Sequence, residues 1–173
     1  MKRGVLCACM GFSLAALCVP AMMTMPISIV YNPSDSVPRG WYRVSGVDHA
    51  ESLHIGSIVL AKIPADAAAF AAQRGYLPAG VPILKRIGAV APQWVCVREQ
   101  VVRIDGAAIA TVRAVDGKQR SLPVWSQCKA LADHELFLLS DTNPASFDSR
   151  YFGPITVSGV IGVASPLWIW SAP

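Results

Sequence analysis

Asn32-Pro-Ser-Asp-Ser-Val-Pro-Arg-Gly-Trp-Tyr42 stands where the chain changes character. Before it lies a long apolar run; after it come short β-prone segments separated by turns. Taken alone, Ser, Pro, Asp and Gly at this density make a turn and nothing more. Here the turn also carries two hydroxyls, Ser34 and Ser36, followed by Pro38 and Gly40, so a serine is held in a stiff segment next to the apolar run. We read Ser36 as a nucleophile, a reading that the rest of the chain has to support.

Upstream, no charged residue occurs between Gly4 and Val30, and Lys2 and Arg3 precede that run. A bilayer core is crossed by about 20 apolar residues. Residues 1–30 are therefore expected to form a single transmembrane anchor or an uncleaved signal, with Pro20 and Pro26 as kinks or as the exit point. Lys2 and Arg3 place the N-terminus in the cytoplasm and the remainder outside it. That remainder, 31–173, is the size of one compact domain with its own core. The chain has 173 residues, 53% of them hydrophobic. Its 15 Lys and Arg face 11 acidic residues, and setting Lys2 and Arg3 aside leaves the domain at +2. No basic block is present, so nucleic acid is not expected as a partner.

Cys7, Cys9 and Cys18 fall in the apolar run, where thiols act as small apolar groups or lipidation sites. Cys96 and Cys128 are the two cysteines of the exported domain, and in an oxidising compartment they are expected to form a disulfide.

The domain reads as mainly β. Strands are expected at Trp41–Val44, Ser57–Ile63, Pro82–Val90, Trp94–Arg98, Val101–Ile104, Ala107–Val112, Glu135–Ser140 and Ile155–Val163. Asp105-Gly106 makes a two-residue hairpin turn, and Asp116–Arg120 a polar loop or hairpin tip. One helix is expected over Ala65–Arg74, Ala-rich, entered at Pro64 and capped by Gly75.

Alternation along Pro82–Val90 puts Lys85 on one face with Ile83, Ile87 and Ala89. Its methylenes could pack on the core while the ammonium reaches water. Alternatively, burial lowers its pKa and leaves a neutral amine able to take a proton near neutral pH, which is what a serine nucleophile needs from a base. His49, His54 and His134 sit in polar contexts without a motif. They make neither a Ser-His-Asp set nor, with the separated cysteines, a metal site. No cofactor is expected.

These residues resemble the type I signal peptidases, and most closely their conjugative-transfer, TraF-type branch. Asn32, Ser34, Ser36, Pro38, Gly40 and Tyr42 fit every fixed position of N-x-[ST]-x-S-x-P-x-G-x-Y. Leu84-Lys-Arg-Ile-Gly-Ala-Val-Ala-Pro92 resembles L-K-R-[IV]-x-A-x-P-G-D with one extra residue before the proline. Ser140-Asp-Thr-Asn-Pro-Ala-Ser-Phe-Asp-Ser-Arg-Tyr-Phe-Gly-Pro154 is similar to G-D-N-x-x-S-x-D-S-R-x-F-G-P. The family's Gly-Asp after the proline is Gln93-Trp94 here, and the glycine before the third motif's Asp is Ser140. Both departures read as changes of loop geometry.

The resemblance implies a signal-peptidase-like β-barrel or sheet domain with one inserted helix behind a single N-terminal transmembrane helix. It implies a Ser–Lys dyad: Ser36 the acyl-forming nucleophile, Lys85 its general base, Ser34 with the Ser36 N–H the oxyanion donors. Ser146 would orient the lysine, with Asp148 and Arg150 a supporting ion pair. The implied activity is that of a serine endopeptidase at the bacterial inner membrane, catalytic domain in the periplasm, touching lipid. Its partner would be a precursor protein, a pilin matured with or without cyclisation in conjugation or type IV secretion. A general type I signal peptidase acting on signal-bearing preproteins and a catalytically silent pilus-assembly subunit are the alternatives. Trp168, Ile169 and Trp170 either reach the membrane interface or end a core strand.

Overall fold

A computed structural model describes residues 27–47, 53–140 and 142–170. The expected anchor up to Pro26, Cys7, Cys9, Cys18, His49 and Asp141 lie outside the described residues. No helix among the described residues is long and apolar enough to cross a membrane. The last residues of the apolar run do not continue a helix: Ile27–Asn32 form strand β1, so the β domain begins before Tyr31. A continuous apolar stretch suits a membrane helix or a strand equally well, and pairing with the next strand decides it here.

The fold is mainly β. After β1 come β2 (Gly40–Ser45), β3 (Ile58–Ala61), helix α1 (Ala65–Arg74), β4 (Ile83–Val90) and β5 (Trp94–Arg98). They are followed by β6 (Val101–Ile104), β7 (Ala107–Thr111), β8 (Cys128–Ala130), β9 (Glu135–Leu139), helix α2 (Ser149–Phe152), β10 (Ile155–Thr156) and β11 (Val160–Ile169). Among the described residues, helix α2 is thus additional to the one inserted helix expected in the domain. The expected strand over Ile155–Val163 is broken by a 3-10 turn at Val157–Gly159.

Two antiparallel sheets result. The larger, of seven strands, has the order β1-β2-β11-β3-β4-β9-β10; the smaller, of four, has β7-β6-β5-β8. Strand β9 is buried on both faces. Phe137 and Leu139 pack with Val95, Val97, Val102 and Ile104 of the small sheet, while Leu136 and Leu138 pack with Val59, Ala61 and Ile87 of the large one. A third cluster, around Val37, Tyr42, Leu60 and Leu84, underlies the turn that follows β1.

Local chemistry accounts for the turns. Gly75 ends α1 in the left-handed conformation at φ 73° with its N–H returned to the carbonyls of Ala71 and Ala72. Asp105 and Gly106 both take positive φ, 50° and 85°, as the tight hairpin between β6 and β7 requires. At Gly40, φ is +148° and a Cβ would come within 2.1 Å of the Trp168 carbonyl oxygen, so only glycine lets β2 lie against β11 there. Cys96 and Cys128 face each other across β5 and β8 and form a disulfide that ties the three-residue β8 to its sheet.

Candidate active site

Three segments far apart in sequence meet at one point. The first is the turn between β1 and β2, organised by Asn32. Its Nδ2 donates to the carbonyl oxygens of Ser34 (2.9 Å), Val37 (3.0 Å) and Pro38 (3.2 Å), so one buried amide fixes the turn from inside. The Tyr42 hydroxyl adds a second bond to the Pro38 carbonyl at 2.6 Å. Asn32 and Tyr42 thus explain why the motif carries those residues, a role that sequence reading did not assign. Ser36 comes out of this turn nearly buried.

The second segment is β4. Ile83 and Ile87 belong to one core cluster and Lys85 lies between them on the strand, as alternation requires. Ala89 departs from the expected face: the register with β9 slips between Ile87 and Ala89, and Ala89 packs into the cluster of the small sheet. Lys85 is 3% exposed and its Nζ donates to Ser36 Oγ and to Ser146 Oγ. The two hydroxyls lie 3.1 Å apart. Burial pulls the Lys85 pKa down from 10.5 to about 8; nearby Asp148 works against that fall and Arg150 adds to it.

The third segment runs from the end of β9 into α2 and presents Ser146. Asp148 and Arg150 hold it in shape. Arg150 Nε and Nη2 donate to the two carboxylate oxygens of Asp148 at 2.7 and 2.8 Å. Nη1 reaches the carbonyls of Thr111 and Pro144, and Nη2 that of Ser146, at 2.9 to 3.0 Å. The pair forms as expected but for a different reason. Asp148 is the N-cap of α2, accepting from the Arg150 N–H, so the two meet across the first turn of a helix and not along an extended strand. Both side chains are buried, at 0 and 1% exposure, which makes this an internal brace.

Ser140, read from sequence as a change of loop geometry, takes part directly. Its hydroxyl donates to the Ser36 carbonyl at 2.8 Å and accepts from the Asn143 N–H at 3.0 Å, while its own N–H donates to Asp148. Thr142 makes a parallel bond to the Asp35 carbonyl. Only the fold, which brings residues 104 positions apart together, reveals this bridge. The other departure, Gln93-Trp94, lies in the β4–β5 turn, where Gln93 and the Trp94 N–H are tied to Asp105 at 2.8 Å, away from Ser36.

Ser36 and Lys85 open onto a cleft of about 620 Å³ walled by apolar side chains, among them Leu60, Leu77, Val81, Leu84 and Phe147. The sequence model of the family described as signal peptidase, peptidase S26, matches residues 2–170.

The chain belongs to the signal peptidase family, peptidase S26. It is 33% identical over 151 residues to a plasmid transfer protein TraF of Escherichia coli, covering 80% of this chain and 82% of that one. It is 32% identical over 165 residues to a conjugal transfer protein TraF of Agrobacterium tumefaciens, covering 89% and 91%. A solved signal peptidase I of Enterococcus faecalis overlays with a TM-score of 0.37 at 18% identity, covering 64% of this chain and 94% of that one. That overlap is too loose to add to the sequence match.

Set beside this family's motifs, Ser34 is the residue whose structural setting differs most from the implied one. It lines the same cleft, but its hydroxyl donates to Asn32 Oδ1 at 2.9 Å. A hydroxyl has one proton to give, so an oxyanion could receive it only after Ser34 turns away from Asn32. Of the histidines, His54 is exposed with Ser57 as its partner and His134 is exposed on the β9 side; neither lines the cleft.

Proposed function

We propose that this protein is a membrane-anchored serine endopeptidase in which Lys85 activates Ser36, and that it matures an exported pilin precursor in conjugative transfer. The observation that carries the reading is a buried lysine whose amine touches two serine hydroxyls at the head of an apolar cleft. Membership of the signal peptidase family supplies the reaction class, and the plasmid and conjugal transfer names of its relatives supply the setting.

The chemistry follows from the groups present. The neutral Lys85 amine takes the hydroxyl proton of Ser36 as Oγ bonds to the scissile carbonyl carbon. The carbonyl oxygen gains the negative charge beside the Ser36 N–H and, once rotated, the Ser34 hydroxyl; one such donor is worth about 3 kcal/mol in other acyl-transfer enzymes. As the carbon–nitrogen bond breaks, the lysine ammonium returns its proton to the leaving amine. The acyl group on Ser36 then passes to water, with Lys85 again removing the proton, or to the precursor's own amino terminus, closing a ring. Ser146 keeps the amine aimed throughout.

Placement at a membrane is supported by the apolar run and by the surface beside its exit. Tyr31, Trp41 and Trp170 cluster there, Tyr31 packing on both tryptophans at 5.1 and 6.0 Å between ring centres. Ile29, Leu167, Trp168 and Ile169 are exposed on the same strands. The end of β11 and Trp170 just after it therefore do not bury these tryptophans in a core, and indole rings favour the bilayer interface.

Removing the protein from a conjugative donor tests the reading. Immunoblotting is expected to show the pilin precursor accumulating at its unprocessed mass, with maturation restored by the wild-type chain but not by its Ser36→Ala variant. A donor that still matures pilin and transfers its plasmid without the protein would sink it.

A further inference from the structure

One wall of the cleft is built from Tyr76 and Leu77, just after α1, and from the loop at 113–117, where Arg113 and Asp116 are the charged side chains. Asp116 is already engaged. It accepts from the Tyr76 hydroxyl, from the N–H groups of Lys118 and Arg120 at 2.8 and 2.9 Å, and from Arg120 Nε at 2.7 Å. Burial works against ionisation of this carboxyl, but those donors outweigh it and hold its pKa below the usual carboxylate range. Arg120 also donates to the Arg74 carbonyl at 3.2 Å, which pins the loop to the helix end. Arg74 lies over the Phe70 ring at 4.9 Å.

Arg113 differs from these. It lines the cleft and is exposed, and its guanidinium has no hydrogen bond or ion pair among the described residues. The other charged cleft residues, Lys85 and Asp116, are both bonded within the protein. The backbone that carries Arg113 is fixed: its N–H donates to the Tyr151 hydroxyl at 3.3 Å. The Tyr151 ring stacks on Phe147 at 5.5 Å, and Phe147 adjoins Ser146. An unpaired cation in the cleft is thus carried on backbone tied, through Tyr151 and Phe147, to the segment that presents Ser146.

We propose that Arg113 binds a carboxylate of the peptide lying in the cleft, making an acidic group in that peptide a determinant of substrate choice; this rests on the peptidase reading above. A guanidinium offers a planar fork that matches a carboxylate, and its positive charge repels a basic residue at the same position. Exposure keeps the preference modest and sensitive to salt. An Asp or Glu side chain or a free C-terminus can supply the carboxylate.

Binding without turnover tests this. The full chain carrying Ser36→Ala, in detergent, is titrated with fluorescein-labelled peptides of small residues that bear Glu, Gln or Lys at each flanking position in turn. Each peptide is made with a free and an amidated C-terminus, which separates the two sources of carboxylate. Acid-bearing peptides are expected to bind about three- to five-fold more tightly than neutral ones at low salt, with the preference fading near about 1 M salt. Adding Arg113→Gln should abolish the preference, and Arg113→Glu should turn it toward Lys. Binding that ignores charge, no binding of any peptide, or a Glu preference that survives Arg113→Gln would overturn the proposal. A protein that ranks peptides by charge yet cleaves none in its Ser36 form keeps this inference and loses the peptidase reading.

Discussion

Lys85→Ala is expected to lower precursor cleavage by about 10²–10⁴-fold, the usual contribution of a positioned acid–base group, while the protein remains folded. The amine contacts both Ser36 and Ser146, and among the described residues no histidine lines the cleft to take over the proton. Lys85→Arg should fail as well, because arginine keeps its proton at any working pH and cannot act as a base. Ser36→Ala removes the proposed nucleophile and should give an equal or larger loss. Stability ought to move the other way. The folded pKa of Lys85, about 8, lies below a lysine's ordinary value of 10.5, so the fold disfavours its charged form. Between those two pH values the unfolded chain binds more protons than the folded one, and stability rises with pH across that window. Holding Lys85 at neutral pH therefore costs on the order of 3 kcal/mol, and Lys85→Ala removes that cost while losing packing of the methylenes. Cleavage assays run beside thermal melts distinguish the cases: an inactive variant that is also unfolded, or an active Lys85→Ala, would contradict the assignment.

Arg150→Ala carries the largest expected loss of stability, about 3–5 kcal/mol, because it leaves the fully buried Asp148 carboxylate without its counter-ion. It also strips donors from the carbonyls of Thr111, Pro144 and Ser146, loosening the segment that carries the lysine's second serine. Arg150→Lys should recover only part of this, since an ammonium cannot bridge both carboxylate oxygens and those carbonyls together. Denaturant melts of the full chain would check it: a variant within about 1 kcal/mol of wild type would show that the brace is dispensable. If the brace positions Ser146, activity should fall with stability in Arg150→Lys, and a folded, fully active variant would confine the pair to structure.

Helix α1 could be read to the residue because an Ala-rich run, a proline at its start and a glycine after its end all point to the same boundaries. The β6–β7 hairpin was equally legible from Asp105-Gly106. Strand β1 was not, because its apolar residues continue a run long enough for a membrane segment. Strand β8 is three residues long and exists through its partner β5, and β11 continues past Pro166 only because its register shifts there. The site divides in the same way. Ser36, Lys85, Ser146, Asp148 and Arg150 were readable as motif positions. Local sequence could not show that Ser140 bonds the carbonyl of Ser36, that the Ser34 hydroxyl is engaged by Asn32, or that Arg113 faces the cleft.

Whether an uncharged Lys85 activates Ser36 is decided by kcat/KM of the full chain on a fluorogenic small-residue peptide, measured between about pH 5 and 10, since this ratio reports the ionisation of the free enzyme's essential base. The rate should rise about ten-fold per pH unit below the lysine's midpoint and level off above about 8. A profile that stays flat down to about pH 5 would contradict a lysine base.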